Sequence, residues 1–417
     1  MNTFGIVGYL FLAFIHICNA TYISTRLHKW LSFIFPRINV KIFIGVMVVI
    51  TAVTLYSLMP MSLPMSYIYH LRMVGGYLTG ILLYVLLLLL LVDIIFFVMR
   101  KVMYIPDKTL GKNRLPIKIP SKKTSKSHSS DGLHKIQFYA RTLAIFFAVT
   151  IAGYGIYNAT QIRITTFEIE LQRDLEGEIT IALISDMHLG EVHSERRLDR
   201  IVAYINSLNP DIVCIAGDIF NDDFYAIRDP QRAAAILRGI DATFGVFACL
   251  GNHDSGETVG SMINFLEESN IQLLNDQHVI IDDRLVLIGR LNAPLPRLPD
   301  GGFGGMLRRD FSYIMREVHT DLAYQGLPAN LPVIVMDHNP THINEYGNDV
   351  DLALFGHTHA GGHFPFTLGT RFMYVADRGH FRRDMYSPHI IVTQGVHMWS
   401  TPIRVGTHNE IAKILVR

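Results

Sequence analysis

Five short groups of residues that commonly bind metals follow one another in the second half of the chain, each just after an apolar run. Their residues, in order, are Asp186-Met187-His188, Gly217-Asp218, Gly251-Asn252-His253-Asp254, His338 and Gly356-His357-Thr358-His359. Carboxylate, imidazole and amide groups together suit Mn, Fe, Zn or Co better than calcium. Any one group is common in turns and helix caps. All five in this order indicate a metal site.

The spacing within these groups has a physical reason. Because alternate side chains of an extended segment point to the same side, Asp186 with His188, and His357 with His359, can each converge on one region. A glycine precedes three of the groups, and its missing side chain leaves room for the backbone to crowd near an ion.

The elements that must position these groups are short apolar runs that alternate with amphipathic segments from about residue 178 onward, a pattern typical of an α/β architecture. Predicted strands cover residues 180–185, 212–216, 246–250, 285–289, 333–336 and 352–355, and predicted helices cover 194–207, 231–240, 258–268 and 313–324. Functional groups in α/β sheets gather at the carboxyl ends of the strands. The five groups should therefore meet at one edge.

Composition divides the chain into two regions. The 417 residues are 50% hydrophobic with a net charge of +1, which excludes a disordered or collagen-like chain. Residues 1–159 hold 16 Lys and Arg against 3 Asp and Glu, or +13, which leaves 21 against 33, or −12, for residues 160–417. The acidic balance of the second region argues against nucleic-acid binding.

Four apolar runs in the first region, residues 4–23, 42–59, 74–99 and 143–159, are long enough to cross a bilayer. The first lacks the basic start of a signal peptide and is predicted to be a retained helix. Eleven Lys and Arg residues against two Asp lie from Arg100 to Arg141, so this stretch should be cytoplasmic. The protein is then a multi-pass plasma-membrane protein with its N-terminus and everything after about residue 160 outside. If one helix fails to span, the large domain is cytoplasmic.

Two further features of the first region carry predictions. Residues 120–131, PSKKTSKSHSSD, are predicted to be a disordered linker, with binding to anionic lipid headgroups as the functional alternative. His16 and Asp93 lie inside apolar runs at similar depth and could pair within the helix bundle.

The three cysteines are too few for a disulfide framework. Cys18 lies in the first helix, whereas Cys214 and Cys249 lie in strand-like runs and are predicted to be buried thiols. A single disulfide between these two is the alternative.

The motifs ISDMHLG, AGDIF, LGNHD, MDHNP and FGHTHAGG resemble those of the calcineurin-like metallophosphoesterases over roughly residues 178–417. The likeness extends to the membrane-anchored bacterial phosphodiesterase branch through Pro402-Ile403-Arg404 and Glu410-Ile411. The resemblance implies N-terminal transmembrane helices followed by a β-sandwich flanked by helices. The expected divisions are three transmembrane helices in 1–100, a basic cytoplasmic linker in 101–142, a fourth helix in 143–159 and the phosphoesterase domain in 160–417.

The resemblance also implies a pair of divalent metal ions, with Mn favoured. One ion would be bound by Asp186, His188, Asp218 and His359, and the other by Asp218, Asn252, His338 and His357. Asp218 would bridge the two ions. His253 would stand by the leaving group as a general acid, with Asp254 either orienting its imidazole or capping a helix.

Departures from the family pattern bear on the substrate. Asn221 and Asp222 replace the Asp and Arg of the protein-phosphatase branch, which argues against a phosphoserine phosphatase. His363 stands where the bacterial branch has Gln. Substrate contacts are expected from residues 290–310, which contain four Arg and could equally be a solvated loop, and from His397, Trp399 and Arg404.

These observations predict a metal-dependent phosphoesterase on the outer face of the membrane. Its substrate would be a phosphodiester, pyrophosphate or phosphomonoester in a small molecule, a lipid or a cell-wall precursor, while its oligomeric state stays open. The alternative is a transporter or sensor that uses a degenerate phosphoesterase domain as a ligand-binding module, although all seven ligand positions are filled. A structural anchor protein, which would bind no metal, is a third interpretation.

Overall fold

The computed structural model describes residues 3–58, 65–103, 126–190, 194–291, 326–399 and 401–417. Four helices come first: α1 Thr3–Ile34, α2 Val40–Ser57, α3 Met65–Met103 and α4 Lys126–Asn158. Each contains a segment long and apolar enough to cross a membrane, namely Val7–Ile34, Val40–Ser57, Tyr69–Met99 and His134–Asn158. The four predicted apolar runs are therefore confirmed as helices.

Helix α4 begins earlier in the chain than predicted, within the stretch predicted to be a disordered basic linker. Residues 126–131, predicted to be disordered, form its first turns, while residues 104–125 lie outside the described part of the chain. No proline follows Pro120 in this stretch, and extending an existing helix costs far less than starting one. Arg141, counted as a loop charge, also lies within α4.

A charged cluster ties three of the helices together. Asp93 accepts hydrogen bonds from the Tyr22 hydroxyl at 2.8 Å and from Arg141 at 3.4 Å, and it lies 2.6 Å from Nε of Arg26. The predicted pairing of His16 with Asp93 is wrong, because His16 Nε2 instead lies 2.8 Å from the Thr54 hydroxyl. Two guanidinium groups are stronger partners for a carboxylate than one imidazole.

The remaining part of the chain forms an α/β domain. Its strands are β1 Ile162–Ile169, β2 Ile179–Ile184, β3 Ile212–Ala216, β4 Val246–Cys249, β5 Gln272–Leu273, β6 Gln277–Ile281, β7 Leu285–Gly289, β8 Val333–Met336, β9 Leu352–Phe355, β10 Gly379–Phe381, β11 His389–Val392 and β12 Asn409–Val416. Its helices are α5 Leu198–Ser207, α6 Pro230–Leu237, α7 Val259–Glu268 and α8 Phe366–Met373.

Within the described residues, the strands form two six-stranded sheets in the orders β1-β12-β2-β3-β4-β5 and β10-β11-β9-β8-β7-β6. Strands β2 to β5 are parallel, as are β7, β8, β9 and β11. The parallel arrangement places the carboxyl ends of β2, β3 and β4 at one edge of the first sheet, and those of β8 and β9 at one edge of the second.

The two sheets pack face to face, as the predicted sandwich requires. Alternate residues of β3 point to opposite faces: Ile212 and Cys214 join the core between the sheets, whereas Val213 and Ile215 join a core formed with α5, α6 and α7. Strand β7 alternates in the same way between the inner core and a smaller outer cluster. Burial on both faces explains the uninterrupted Val, Ile and Leu runs of these strands.

Most predicted elements match the structure. The strands at 212–216, 285–289, 333–336 and 352–355 have the predicted bounds, and the other two differ by one residue at one or both ends. The three described helices begin or end within a few residues of prediction, while residues 313–324 lie outside the described chain. Strands β1, β5, β6 and β10 to β12 were not predicted. Cys214 and Cys249 are free and buried.

The domain is packed directly against α3 and α4. The side chain of Ile403 fills the space that a Cβ at Gly80 of α3 or Gly155 of α4 would need. The Tyr84 hydroxyl of α3 donates to the carbonyl of Phe364 at 2.9 Å. Asn158, the last residue of α4, donates to backbone carbonyls of the loop that leads into β12. These contacts fix the domain to the membrane helices.

Candidate metal centre

All five metal-ligand groups meet at the carboxyl ends of the strands, as the sequence predicts. Asp186 and His188 follow β2, Asp218 follows β3, and Asn252 follows β4 of the first sheet. His338 and the His357–His359 pair follow β8 and β9 of the second sheet. A hydrogen-bond contact of 2.8 Å between Nδ1 of His338 and the Ala216 carbonyl joins the two edges.

The backbone of these loops differs from the predicted extended form. Five ligand residues have positive φ: Asp186 at 56°, His188 at 46°, Asp218 at 50°, His357 at 72° and His359 at 47°. Such left-handed backbone is strained for non-glycine residues and occurs often at functional sites. The side chains converge because the chain turns sharply after each strand. The predicted convergence is therefore correct, but the predicted reason, alternation of side chains along an extended segment, is wrong.

Three side chains form the first cluster. Ligand atoms of Asp186, His188 and His359 all lie within 4.8 Å of one another. Nε2 of His188 lies 3.2 Å from Nε2 of His359, and Oδ1 of Asp186 lies 3.4 Å from the same His359 atom. Two imidazole nitrogens at this separation repel through their lone pairs unless a proton or a cation lies between them.

Asp218, His338 and His357 form the second cluster, again within 4.8 Å. Oδ2 of Asp218 lies 3.1 Å from Nε2 of His338, which in turn lies 3.2 Å from Nδ1 of His357. The same Asp218 oxygen lies 4.0 Å from Nε2 of His188 in the first cluster. Asp218 is therefore the side chain that stands between the two clusters.

The site contains polar atoms that need a partner. Oδ1 of Asp186 and Oδ1 of Asn252 are buried, and neither has a hydrogen-bond partner among the described residues. Buried polar oxygens in folded proteins are nearly always paired. Two such orphans, together with an O and N donor set, fit a pair of first-row divalent ions. The assignment of each ligand to one ion stays a prediction.

Burial sets the protonation of most of these imidazoles. It lowers the pKa of His188, His357 and His359 to about 3, so they are neutral and keep the lone pair that a metal requires. His338 differs: burial lowers its pKa, but the charge of Asp218 and a hydrogen bond to it outweigh burial and raise the value to about 10, so a metal ion bound by His338 would have to replace the proton on its Nε2. Burial opposes ionisation of Asp218, but His338 holds its pKa well below the usual range.

His253 stands beside the clusters with its ring against that of Trp399, the two centroids 5.6 Å apart. Its backbone amide donates to Oδ1 of Asp218 at 2.8 Å, and its Nδ1 lies 3.3 Å from Oδ1 of Asp222. Burial alone would lower the pKa of His253, but the charges of Asp218 and Asp222 outweigh it and raise the value to about 9. The imidazole is therefore protonated at neutral pH and able to act as an acid.

Asp254 does not orient the His253 ring. Its Oδ1 accepts from the amide of Phe220 at 2.7 Å, and its Oδ2 accepts from Gly251 at 2.8 Å and Ile219 at 3.2 Å. These bonds tie the loop after β3 to the loop after β4. Asp222, which the sequence marked only as a departure from the protein-phosphatase pattern, is the carboxylate beside the imidazole.

The predicted substrate residues have different surroundings. Trp399 is 46% exposed and its ring lies beside that of His253, whereas His397 is buried with Nδ1 3.0 Å from a guanidinium nitrogen of Arg197. His363 is buried with its ring edge against Phe366. Arg290 is buried 3.5 Å from Asp276, and residues 292–310 of the predicted substrate loop lie outside the described chain.

Arg404 is fully buried and is therefore not exposed to meet a substrate as the sequence predicted. Its guanidinium donates to Oδ1 of Asn409 at 3.0 Å and to the carbonyls of His359 at 2.9 Å, Gln394 at 2.7 Å and His397 at 2.9 Å. The side chain thus supports a ligand loop from below. Arg197, which the sequence analysis missed, carried no signal beyond being a basic residue in a predicted helix.

The sequence is similar to that of a known protein family and of several named relatives. Residues 179–361 match the family described as calcineurin-like phosphoesterase. A transmembrane protein with metallophosphoesterase domain from Danio rerio is 28% identical over 67% of this chain and 63% of its own length. An uncharacterized metallophosphoesterase from Aquifex aeolicus is 27% identical over 66% of this chain and 98% of its own length. The resemblance predicted from the five motifs is confirmed.

A third relative carries a more specific name. The UDP-2,3-diacylglucosamine pyrophosphatase LpxG of Chlamydia trachomatis is 26% identical over 43% of this chain and 63% of its own length. For the Danio rerio, Caenorhabditis elegans and Bos taurus relatives, the chain spans 63%, 55% and 62% of their lengths.

Proposed function

We propose that this chain, whose residues 179–361 carry a calcineurin-like phosphoesterase domain, is a membrane-anchored hydrolase of phosphoric esters that works with two divalent metal ions. The observation that carries the proposal is the pair of three-residue clusters with Asp218 between them. Asp186, His188, Asp218 and His359 would hold one ion. Asp218, Asn252, His338 and His357 would hold the other, with Mn favoured.

Divalent ions bound there would lower the pKa of a water molecule and neutralise the phosphoryl oxygens. The protonated His253 then donates its proton to the departing oxygen, since an alkoxide is a poor leaving group. The charges of Asp218 and Asp222 favour the protonated imidazole, and Asp222 lies beside its Nδ1 and positions the ring. Water attacks phosphorus directly, so we expect no covalent phosphoenzyme.

The substrate class is a phosphodiester or pyrophosphate in a lipid or cell-wall precursor, with a phosphomonoester as the less specific possibility. Two observations support this choice. One is the name of the Chlamydia trachomatis relative, a pyrophosphatase whose substrate is a diacylated sugar nucleotide. The other is the packing of the domain against α3 and α4, through Ile403 and through the hydrogen bond from Tyr84 to Phe364.

We place the domain on the outer face of the plasma membrane. Arg141 lies about 21 Å along α4 from Gly155, where the domain packs, at a rise of about 1.5 Å per residue. Arg26 and Arg141 therefore mark the end of the bundle away from the domain. The positive-inside rule assigns that end to the cytoplasm.

The test uses the full-length protein in detergent, because removing the helices would expose the apolar surface of Ile403 and Val405. Metal content and Mn²⁺-supported hydrolysis of an aryl phosphate monoester, an aryl phosphodiester and a lipid pyrophosphate are measured. We expect about two ions per chain and turnover that Asp218→Asn abolishes, while Asp199→Asn, an exposed control, has no effect. Metal binding without turnover of any ester would support the sensor interpretation, and absence of metal would overturn the proposal.

A further inference from the structure

Helix α8 presents its large apolar residues outward and its two threonines inward. Phe372 is 89% exposed and Met373 is 76% exposed, whereas Thr367 is only 7% exposed. Thr370 also faces the protein, where its hydroxyl contacts Oδ2 of Asp377 at 2.8 Å. A helix that faces water shows the opposite arrangement. The outer face of α8 is therefore built for an apolar environment.

Six large apolar side chains within residues 364–375 are exposed. They are Phe364, Phe366, Leu368, Phe372, Met373 and Val375, each at least 46% exposed, and are referred to as the apolar patch. A concentration of exposed apolar side chains marks an interaction site with protein or membrane.

The patch begins where the domain meets the membrane helices. The carbonyl of Phe364 accepts the hydrogen bond from Tyr84 of α3, and its amide donates to the carbonyl of Val405 at 2.9 Å. The Val405 side chain in turn packs at Gly155 of α4. The apolar patch thus continues the surface that already contacts two membrane-length helices, which places lipid beside it.

Charge on the helix also fits a lipid surface. Arg371 lies exposed in the last turn of α8, between Thr370 and Phe372. Interfacial helices combine large apolar side chains with basic residues that meet anionic headgroups.

Helix α8 contacts the loop of the predicted ligands His357 and His359 at one end and His363, four residues after His359, at the other. The ring of Phe366 meets that of His363 at a centroid distance of 5.2 Å. Tyr374, directly after the helix, meets the ring of His357 at 6.2 Å. The position of α8 therefore determines where the loop carrying His357 and His359 lies relative to the membrane.

We propose that α8 inserts through the apolar patch into the boundary between headgroups and acyl chains, and that this holds the metal centre at the membrane surface to receive a phosphoester from a lipid of that leaflet. The proposal that α8 inserts into the membrane depends only on its exposed residues and on its position beside α3 and α4, and not on the proposed function. The statement about the substrate rests on the proposed function.

Insertion is tested by spin labelling of the full chain in phosphatidylcholine vesicles that contain phosphatidylglycerol. The label is placed at Phe372→Cys in a Cys18→Ser background, since Cys214 and Cys249 are buried. The matched control is Glu178→Cys, an exposed residue directly before β2, at the end of that strand away from the metal centre. Collision rates with oxygen and with a water-soluble nickel chelate report depth in the bilayer.

At position 372 we expect collisions with oxygen to dominate, with an oxygen-to-nickel ratio several-fold above that at position 178. Dominant nickel collisions at both positions would overturn the proposal. Low collision rates with both reagents at position 372 would also overturn it, because they would show that protein, such as a second copy of the chain, covers the patch.

The substrate statement has its own test. Phe372→Asp should reduce hydrolysis of a lipid pyrophosphate in vesicles by about tenfold or more, because a carboxylate is costly to place in the membrane. Hydrolysis of the water-soluble aryl diester should be unchanged. Equal effects on both substrates would overturn the lipid substrate. If the unmodified protein hydrolyses neither substrate, the proposed function fails, while the spin-label result still decides insertion.

Discussion

Nδ1 of His253 lies 3.3 Å from Oδ1 of Asp222, a carboxylate outside the set of predicted metal ligands. The contact uses the Nδ1 side of the ring. It also contributes to raising the pKa of His253 to about 9, so that the imidazole carries its proton at neutral pH. The pair has the arrangement of a general acid and the group that positions it.

Replacing His253 by Gln should lower kcat for an alkyl phosphodiester by roughly 10²- to 10⁴-fold, the usual contribution of a general acid. The loss should be much smaller for a p-nitrophenyl ester, whose leaving group needs no proton. Asp222→Asn should show the same dependence on leaving group with a smaller loss. Kinetics with a series of leaving groups decide this, with metal content as the control. An equal loss for all leaving groups would contradict an acid role for His253.

Mn²⁺ should stabilise the folded domain. Ions that bind only the folded state add about 2.7 kcal/mol at a concentration 100 times Kd. We expect a rise in Tm with added Mn²⁺ that disappears in Asp218→Asn and persists in the exposed control Asp199→Asn. The measurement is thermal unfolding of the full-length protein in detergent. A Tm rise of equal size in Asp218→Asn would show that the ion binds elsewhere.

The strands and the metal-ligand groups could be predicted because both are local. A strand buried on both faces must be apolar at every position, so β3, β7, β8 and β9 are visible as Val, Ile and Leu runs. Strand β1, by contrast, has a half-exposed pattern, and its partner β12 lies more than 200 residues away. Neither strand carries a signal before the fold brings the pair together.

The parts of the site that escaped prediction depend on tertiary contacts. Asp222 reaches His253 only because the loops after β3 and β4 are neighbours, and Asp254 is occupied by backbone amides of those same loops. Arg404 looks in sequence like a substrate-binding residue, yet it is buried by the chain around it. The sequence shows that a charged residue needs hydrogen-bond or ion-pair partners, but only the fold determines which groups those partners are.

Gly251 should be essential for the bridging ligand. A Cβ at this position would overlap Oδ1 and the amide nitrogen of Asp218. Gly251→Ala should therefore weaken Mn²⁺ binding and destabilise the domain by about 1–3 kcal/mol, the usual cost of overpacking. Gly260→Ala in α7 is the matched control, since a Cβ there meets nothing within 4 Å. Unchanged Mn²⁺ affinity in Gly251→Ala, measured by calorimetry, would contradict this account.

The orientation of the chain across the membrane can be tested in the Cys18→Ser background. A cysteine at Glu178 should react in intact cells with a membrane-impermeant thiol reagent, because the proposed orientation puts the domain outside. A cysteine at Lys135, near the start of α4, should react only after the membrane is opened. Protection of position 178 in intact cells would place the domain in the cytoplasm and require that one of the four helices does not span.

Arg404 should affect metal binding even though its side chain is fully buried. Its planar guanidinium donates to four carbonyls and to Asn409, a pattern that a lysine ammonium cannot reproduce. Arg404→Lys leaves buried acceptors unpaired, at about 1–3 kcal/mol for each, and frees the carbonyl of His359. We therefore expect a lower Tm and weaker binding of the ion that Asp186, His188 and His359 are proposed to hold than of the other ion. Stepwise Mn²⁺ binding by calorimetry measures this, with Arg378→Lys, which donates to the Gly406 carbonyl at the surface, as the control. If Arg404→Lys lowers Tm but leaves both binding steps intact, the guanidinium supports the fold alone.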